Sequence, residues 1–358
     1  MASTVTPEQV LQALRGVVDP DLHRDVVSLN MIRDVAVSDA GAVSFRFVLT
    51  TPACPVRGQM EAQARELVGK LPGVSAVDIK MEAEVPQRGV QQQHLLPGVR
   101  SIVAIASGKG GVGKSTVSVN LAIALAETGA RVGLLDADIY GPNIPQMMGA
   151  RSTPAVVNDR LLPVEAYGVK IMSIGFLVRP NEAMIMRGPM ASGALQQLMR
   201  DVDWGELDYL LVDLPPGTGD IPLTLAQATS PTGVVIVCTP QDVAWADAVR
   251  AIGMFGRVNV PVLGIVENMS YFVCPHCGER TEIFSHGGAA RQAQRLKVPF
   301  LGEVPLEMEI RAGGDEGYPV IVARPQSPVA DAFRTIAGQL AAQVSTRQFR
   351  TLPVISIR

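Results

Sequence analysis

The chain has 358 residues, 47% hydrophobic and 18% charged, which excludes intrinsic disorder, collagen and coiled coil and is long enough for two domains. Lys and Arg total 31 against 34 Asp and Glu, a formal net charge of −3, so there is no global basic field to hold a nucleic acid and no nucleic-acid partner is expected. Four cysteines are too few for a disulfide scaffold, MASTVTPEQV has neither a basic nor an apolar targeting region, and every apolar run is far shorter than the roughly 20 residues of a membrane span, so the expectation is a cytoplasmic protein with reduced thiols and no membrane partner.

Residues 1–85 read as a small α/β unit of order αββαβ. Thr6-Pro7-Glu8-Gln9 combines an N-cap, a proline at the first helical position and a capping-box glutamine, and Val10, Leu11, Leu14, Val17 and Val18 follow at helical spacing. Val43, Phe45, Phe47 and Leu49 alternate with Ser44, Arg46 and Thr50 as in a half-buried strand. The turn-like Thr51-Pro52-Ala53-Cys54-Pro55 comes next, then a helix marked by Met60, Ala64, Leu67 and Val68 and a strand marked by Val77, Ile79 and Met81. Residues 86–98 are rich in Gln, Gly and Pro, lose periodicity and read as a linker. From 99 to 344, apolar runs at 102–106, 132–135, 209–214, 234–238, 262–266 and 320–323 alternate with helical patterns, which predicts a mainly parallel sheet flanked by helices. Residues 345–358 carry Pro353 and no sustained helical pattern, and read as a loose tail.

Gly108-Lys109-Gly110-Gly111-Val112-Gly113-Lys114-Ser115 fits GxxxxGK[ST] between the strand at 102–106 and a helix carrying Val117, Leu121, Ile123 and Leu125, the context the motif requires. The glycines free successive backbone N–H groups to form a nest for phosphates, Lys114 reaches the β- and γ-oxygens, and the Ser115 hydroxyl takes Mg²⁺. Gly108 through Thr116 are therefore the candidate nucleotide contacts. Asp136 and Asp138 end one apolar strand and Asp213 ends another, at the sheet edge where open parallel sheets bind ligands. Asp213 is the natural partner for magnesium through a water; for Asp136, capping the following helix is the alternative role.

The extra Lys109 makes KGGVGKST resemble the deviant P-loop of the dimeric ATPases of the MinD/ParA-like superfamily. The resemblance implies that Lys109 crosses a dimer interface to the partner's nucleotide, that Asp138 positions the attacking water, that residues 213–217 form a switch, and that hydrolysis is tied to rearrangement of the dimer. A second cation at the γ-phosphate suits a reaction that spreads charge over the transferring oxygens. A solvated loop lysine is the plainer alternative.

Cys274-Pro275-His276-Cys277 lies beyond the run at 262–266. Two thiolates two residues apart grip one metal from one side, whereas tetrahedral zinc or a cubane cluster needs four ligands, and His276 sits inside a turn too tight to serve. A two-fold dimer would bring the two pairs together as a Cys₄ site. Structural zinc and thiol–disulfide exchange are the alternatives, the second lacking a following helix because Gly278 and a strand-like 281–284 come next. Cys238, inside an apolar run, reads as a small buried hydrophobe, and Cys54, between two prolines, as the more exposed thiol, either a transient cluster ligand or a plain loop thiol.

GKGGVGKST, DADIYGPNIP, MRGPM, VDLPPGTGD, ENMSYFVCPHCG and TTPACP together resemble, across nearly the whole chain, the Mrp/ApbC family of iron–sulfur cluster carrier ATPases with an N-terminal small iron–sulfur assembly domain. The resemblance implies an α/β P-loop NTPase fold, a homodimer, a labile [4Fe-4S] cluster bridged by Cys274 and Cys277 of each subunit, and adenine contacts near Asn268. It further implies ATP and Mg²⁺ as cofactors, cluster delivery to apo iron–sulfur proteins, and cluster scaffold proteins as partners. Ser285, where family members commonly carry glycine, is a local departure. The competing reading is a MinD/ParA-like spatial-organising ATPase with a structural zinc knuckle; it needs an amphipathic basic tail or a basic patch, which residues 345–358 do not supply. A small-molecule kinase would need an acceptor pocket that the sequence does not reveal.

Overall fold

The computed structural model describes residues 5–85, 95–178, 188–284 and 287–351. Most of the expected linker, the start of MRGPM and the position of Ser285 lie outside the described residues. The chain divides into two units, Met1–Pro86 with Ser345–Arg358, and Gln87–Val344.

In the smaller unit, α1 (Pro7–Leu14) opens on a complete capping box, with the Gln9 amide N–H donating to Thr6 Oγ1 at 3.3 Å and the Thr6 N–H donating to Gln9 Oε1 at 2.9 Å. β1 (Ile32–Val37) runs antiparallel to β2 (Ala42–Leu49), and β2 runs parallel to β3 (Ala76–Ala83) after the crossover helix α2 (Arg57–Gly69). The period-two side chains Val43, Phe45, Phe47 and Leu49 meet Val10, Leu14, Met60, Ala64 and Val68 in one core.

The larger unit is a P-loop fold in which eight strands lie in the order β6-β7-β5-β8-β4-β9-β10-β11. They are β4 (Val99–Ala106), β5 (Val132–Asp136), β6 (Val164–Ala166), β7 (Val169–Ser173), β8 (Leu207–Asp213), β9 (Gly233–Cys238), β10 (Val262–Glu267) and β11 (Phe300–Glu303). All pairs are parallel except the edge hairpin β6–β7. Helices α3 (Lys114–Glu127), α4 (Ile144–Met147), α5 (Gly188–Arg200), α6 (Asp220–Thr229) and α7 (Asp242–Arg257) intervene, α3 packing on β5 and β8 and α7 on β9. α8 (Gly288–Leu296), α9 (Met308–Glu316), α10 (Val320–Ala323) and α11 (Pro328–Thr351) complete the chain. β5, β8 and β9 are buried along their whole length, which explains their mostly apolar runs.

Two expectations are corrected. Val320–Ala323 is a short helix, not a strand: it follows Pro319, and the Ile321 N–H donates to Asn120 Oδ1 at 3.2 Å, while the last strand is the gly-containing run Phe300–Glu303. A four-residue apolar run has no period by which to separate helix from strand. The stretch from Ser345 is not loose where it is described, because α11 continues through Thr351 with Ser345 and Gln348 buried. A helix buried on several faces shows no one-sided apolar stripe, and Pro353 disfavours helix only from the residue before it.

Phe47 is fully buried in the smaller unit. Phe47→Ala is expected to cost about 3–5 kcal/mol of that unit's stability, read as a lower urea midpoint in its unfolding transition.

Candidate functional site

The loop between β4 and α3 forms the phosphate nest. Gly111 and Gly113 take φ of 79° and 77°, which a β-carbon would strain, and Gly113 caps α3 so that the first turn's N–H groups face the cavity. Asn268 closes the nest from behind: its Nδ2 donates to Val112 O at 2.8 Å and occupies the space that a side chain at 113 would need. Gly217 N donates to Ser107 O at 2.9 Å, tying the segment after β8 to the base of the loop.

Beneath the nest, Asp213 at the end of β8 accepts from Lys114 Nζ and from Ser115 Oγ, each at 2.7 Å to Oδ2, and from Ser118 Oγ at 2.5 Å to Oδ1. The side chains of Lys114 and Asp213 are 7% and 1% exposed, so this is a buried ion pair; removing one partner of such a pair costs about 3–5 kcal/mol. The oxygen donors of Ser115 and Asp213 are the kind that Mg²⁺ takes.

Asp136 is the register partner of Asp213 on the neighbouring strand. It accepts from Ser173 Oγ at 2.9 Å, from Asp138 N at 3.2 Å and from Ile144 N, the first residue of α4, at 3.3 Å, so it anchors the Asp138 segment and caps α4. Burial, and then the nearby Asp213, outweigh these donors and push its carboxyl from 3.8 up to about 8. Asp138 lines the cavity, and burial also raises its carboxyl, with Lys114 opposing.

The cavity has a volume of about 470 Å³ and is lined by residues 109–116, Asp138 and Pro216, together with Asn143, Gln146, Met147, Gly314 and Asp315. Of the expected site residues, Lys109, Gly110 through Thr116 and Asp138 converge on it, Asp213 lies beneath it, and Asn268 braces its wall. Gly108 packs against the backbone of Asp247 on α7 instead of facing the cavity lining. Lys109 is half-exposed and its ammonium has no partner among the described residues. Sequence reasoning missed Ser118, although it lies one turn beyond Lys114 on the same helix face, and it missed Gln146 and Asp315, whose approach (Gln146 Nε2 to Asp315 O, 3.2 Å) spans 169 residues.

The second cluster is a hairpin, Phe272–Val273 paired antiparallel with Arg280–Thr281, that carries Cys274 and Cys277 at its tip. Gly278 N donates to Cys274 O at 2.8 Å and Cys274 N to Glu279 O at 2.9 Å, which folds the turn tightly. The N–H groups of Cys277 and His276, then the Cys277 thiol, point at the Cys274 sulfur and hold its thiol below the ordinary value. Gly278, with φ of 74°, leads into a strand, so no helix dipole acts on either thiol. Among the described residues no group of three or more His, Cys, Asp or Glu could hold a metal ion.

The other two thiols sit elsewhere. Cys238 is buried in β9, and burial followed by Glu267 pushes its thiol up to about 12. Cys54 is half-buried against the core of the smaller unit and, as expected, more exposed than Cys238; burial, with Asp19 and Asp21 adding, raises it. Among the described residues no helix is long and apolar enough to cross a membrane.

Comparison with known proteins agrees with this anatomy. Residues 98–341 match the family described as NUBPL iron-transfer P-loop NTPase, and residues 7–80 match the iron–sulfur cluster assembly protein family. The chain is 50% identical over 348 residues to the iron–sulfur cluster carrier protein of Synechocystis sp., covering 95% of this chain and 98% of that one. Among solved structures, a nucleotide-binding protein in complex with ADP from Archaeoglobus fulgidus is 42% identical, with a TM-score of 0.59 over 67% of this chain and 95% of that one. The cell-division ATPase MinD of Pyrococcus furiosus, 22% identical with a TM-score of 0.52 over 67% and 97%, shares the fold.

The raised carboxyl of Asp136 makes a pH prediction for the nucleotide-free chain. The folded state keeps this proton up to about pH 8, whereas the unfolded chain releases it near 3.8, so stability falls as pH rises through that window. Asp136→Asn is expected to flatten the decline in Tm between pH 5 and 8; parallel declines in the two proteins would count against the assignment.

Proposed function

The chain belongs to the NUBPL iron-transfer P-loop NTPase family, and on that premise we propose that it is an ATP-hydrolysing iron–sulfur cluster carrier that holds a labile [4Fe-4S] cluster between two copies of itself and delivers it to apo iron–sulfur proteins. The observation that carries the reading is the Cys274–Cys277 turn, with Cys277 exposed and Cys274 half-buried, in the same chain as a complete P-loop. A two-fold dimer supplies the other two thiolates, and an exposed tip makes the cluster easy to hand on. The thiol of Cys274, held low by its neighbours' N–H groups, favours the thiolate that iron requires. Relatives named iron–sulfur cluster carrier proteins support this.

In the nucleotide site, residues 110–113 cradle the phosphates through backbone N–H groups and Lys114 neutralises the β- and γ-oxygens, exchanging Asp213 for phosphate. Ser115, with Asp213 behind a water, would hold Mg²⁺, which supplies charge neutralisation at the same oxygens. Asp138, anchored through Asp136, orients the attacking water, and Lys109 reaches across the dimer to the partner's nucleotide. That its ammonium has no partner among the described residues fits a role that a second chain completes. The protein would act in the cytoplasm, with cluster scaffold proteins supplying it.

Since Lys109 has no side-chain partner among the described residues, Lys109→Ala is expected to fold as the wild type does while hydrolysis falls by about two to three orders of magnitude, roughly what one transition-state donor contributes. Unchanged turnover would remove the cross-dimer role. For the cluster, iron and acid-labile sulfide are measured after anaerobic reconstitution: about four of each per dimer are expected, and none in Cys274→Ser/Cys277→Ser. One zinc per dimer without sulfide would make the tip a structural staple.

A further inference from the structure

The chain leaving β10 serves both sites at once. Asn268, the first residue past β10, holds Val112 O in the phosphate nest at 2.8 Å and fills the space beside Gly113. Two residues on, Ser270 N donates to Val304 O at 2.9 Å, and Ser270 Oγ lies 2.6 Å from Glu267 Oε1 and 2.8 Å from Glu303 Oε2. The other oxygen of Glu303 receives Arg280 of the cysteine hairpin at 3.1 Å. The Arg280 guanidinium also lies 3.7 Å from the ring centre of Tyr271, whose carbonyl accepts from Leu306 N at 2.7 Å. Cys274 therefore lies six positions after the residue that braces the nest, and Arg280 ties the return strand of the tip to the same sheet edge.

We propose that Arg280 is a positioning residue that transmits the state of the phosphate nest, through Asn268, Ser270 and Glu303, to Cys274 and Cys277 within a single chain. The proposal rests on reading these cysteines as the cluster ligands and names a regulation of that site that does not pass through the dimer interface. Val112 and Asn268 are buried, and close-packed interiors pass small shifts on instead of absorbing them. The hairpin beyond Tyr271 is mostly exposed, so little buried packing resists a shift at its base. Spatial continuity alone does not establish coupling; a nucleotide-dependent change at the tip that one residue removes would.

The test uses the cluster-free full chain and follows alkylation of Cys274 and Cys277 by iodoacetamide with peptide mass spectrometry, with and without Mg·ADP or a Mg-bound non-hydrolysable ATP analogue. Buried Cys238 serves as the internal reference. Nucleotide is expected to change the tip's alkylation rate by about fivefold or more, the lower end of ordinary coupling. Arg280→Met, which loses the ion pair, is expected to bring that ratio close to one with the nucleotide Kd unchanged, and Arg280→Lys to restore part of it. A wild-type ratio of one overturns the coupling, and an unchanged ratio in a folded Arg280→Met, checked by its thermal melt, overturns the role of Arg280. Iron and sulfide in reconstituted wild type are measured in parallel: their absence alongside a nucleotide-dependent ratio would sink the carrier reading and leave the coupling standing.

Discussion

Asp213 commits both oxygens of one buried carboxylate to three donors, Lys114, Ser115 and Ser118, all from the first turn and a half of α3. This constraint sets where the nest stands relative to the sheet. A buried charge survives only when paired and hydrogen-bonded, so β8 and α3 cannot slide past one another without stranding a charge. In this state Lys114 already has an anion as partner. On the proposed reading, nucleotide binding would be an exchange of partners at Lys114, with Asp213 keeping its two serine donors, and not the burial of a bare cation.

The parallel sheet then determines what lies near that point. The P-loop after β4, the Asp138 segment after β5, Asp213 on β8 and the hairpin after β10 all leave the carboxyl edge of one sheet. A nucleotide site and a thiol pair share this edge because successive crossovers deliver each strand's end to the same side. Asp136 shows the cost of the crowding: side by side with Asp213, it keeps its proton well above the usual carboxylate range and serves as an anchor for its neighbours.

What was legible in the sequence was what is local. Gly108 to Ser115 announces its loop because glycine positions, the lysine and the flanking strand and helix all sit within one window, and CPHC announces a two-ligand grip by spacing alone. The capping box at Thr6 and Gln9 was equally readable. What escaped depends on partners far apart: Asn268 reaches Val112 across 156 residues, and nothing near either residue signals it. The run 320–323 was misread because four residues carry no period, and the stretch from 345 because burial on several sides erases the periodicity by which a helix is recognised. Cys54 read correctly as more exposed than Cys238, but the core that half-covers it comes from other parts of its unit, which its own window does not show.

The central claim is that this chain carries a cluster in order to give it away, and transfer tests it most directly. Reconstituted protein is mixed anaerobically with an excess of an apo [4Fe-4S] acceptor protein, and cluster is followed in both after rapid separation. The account predicts that the acceptor gains its cluster while the carrier bleaches, and that a carrier with Cys274→Ser gives nothing. A cluster that stays on the chain while the acceptor remains apo, or a tip that binds only zinc, would contradict it.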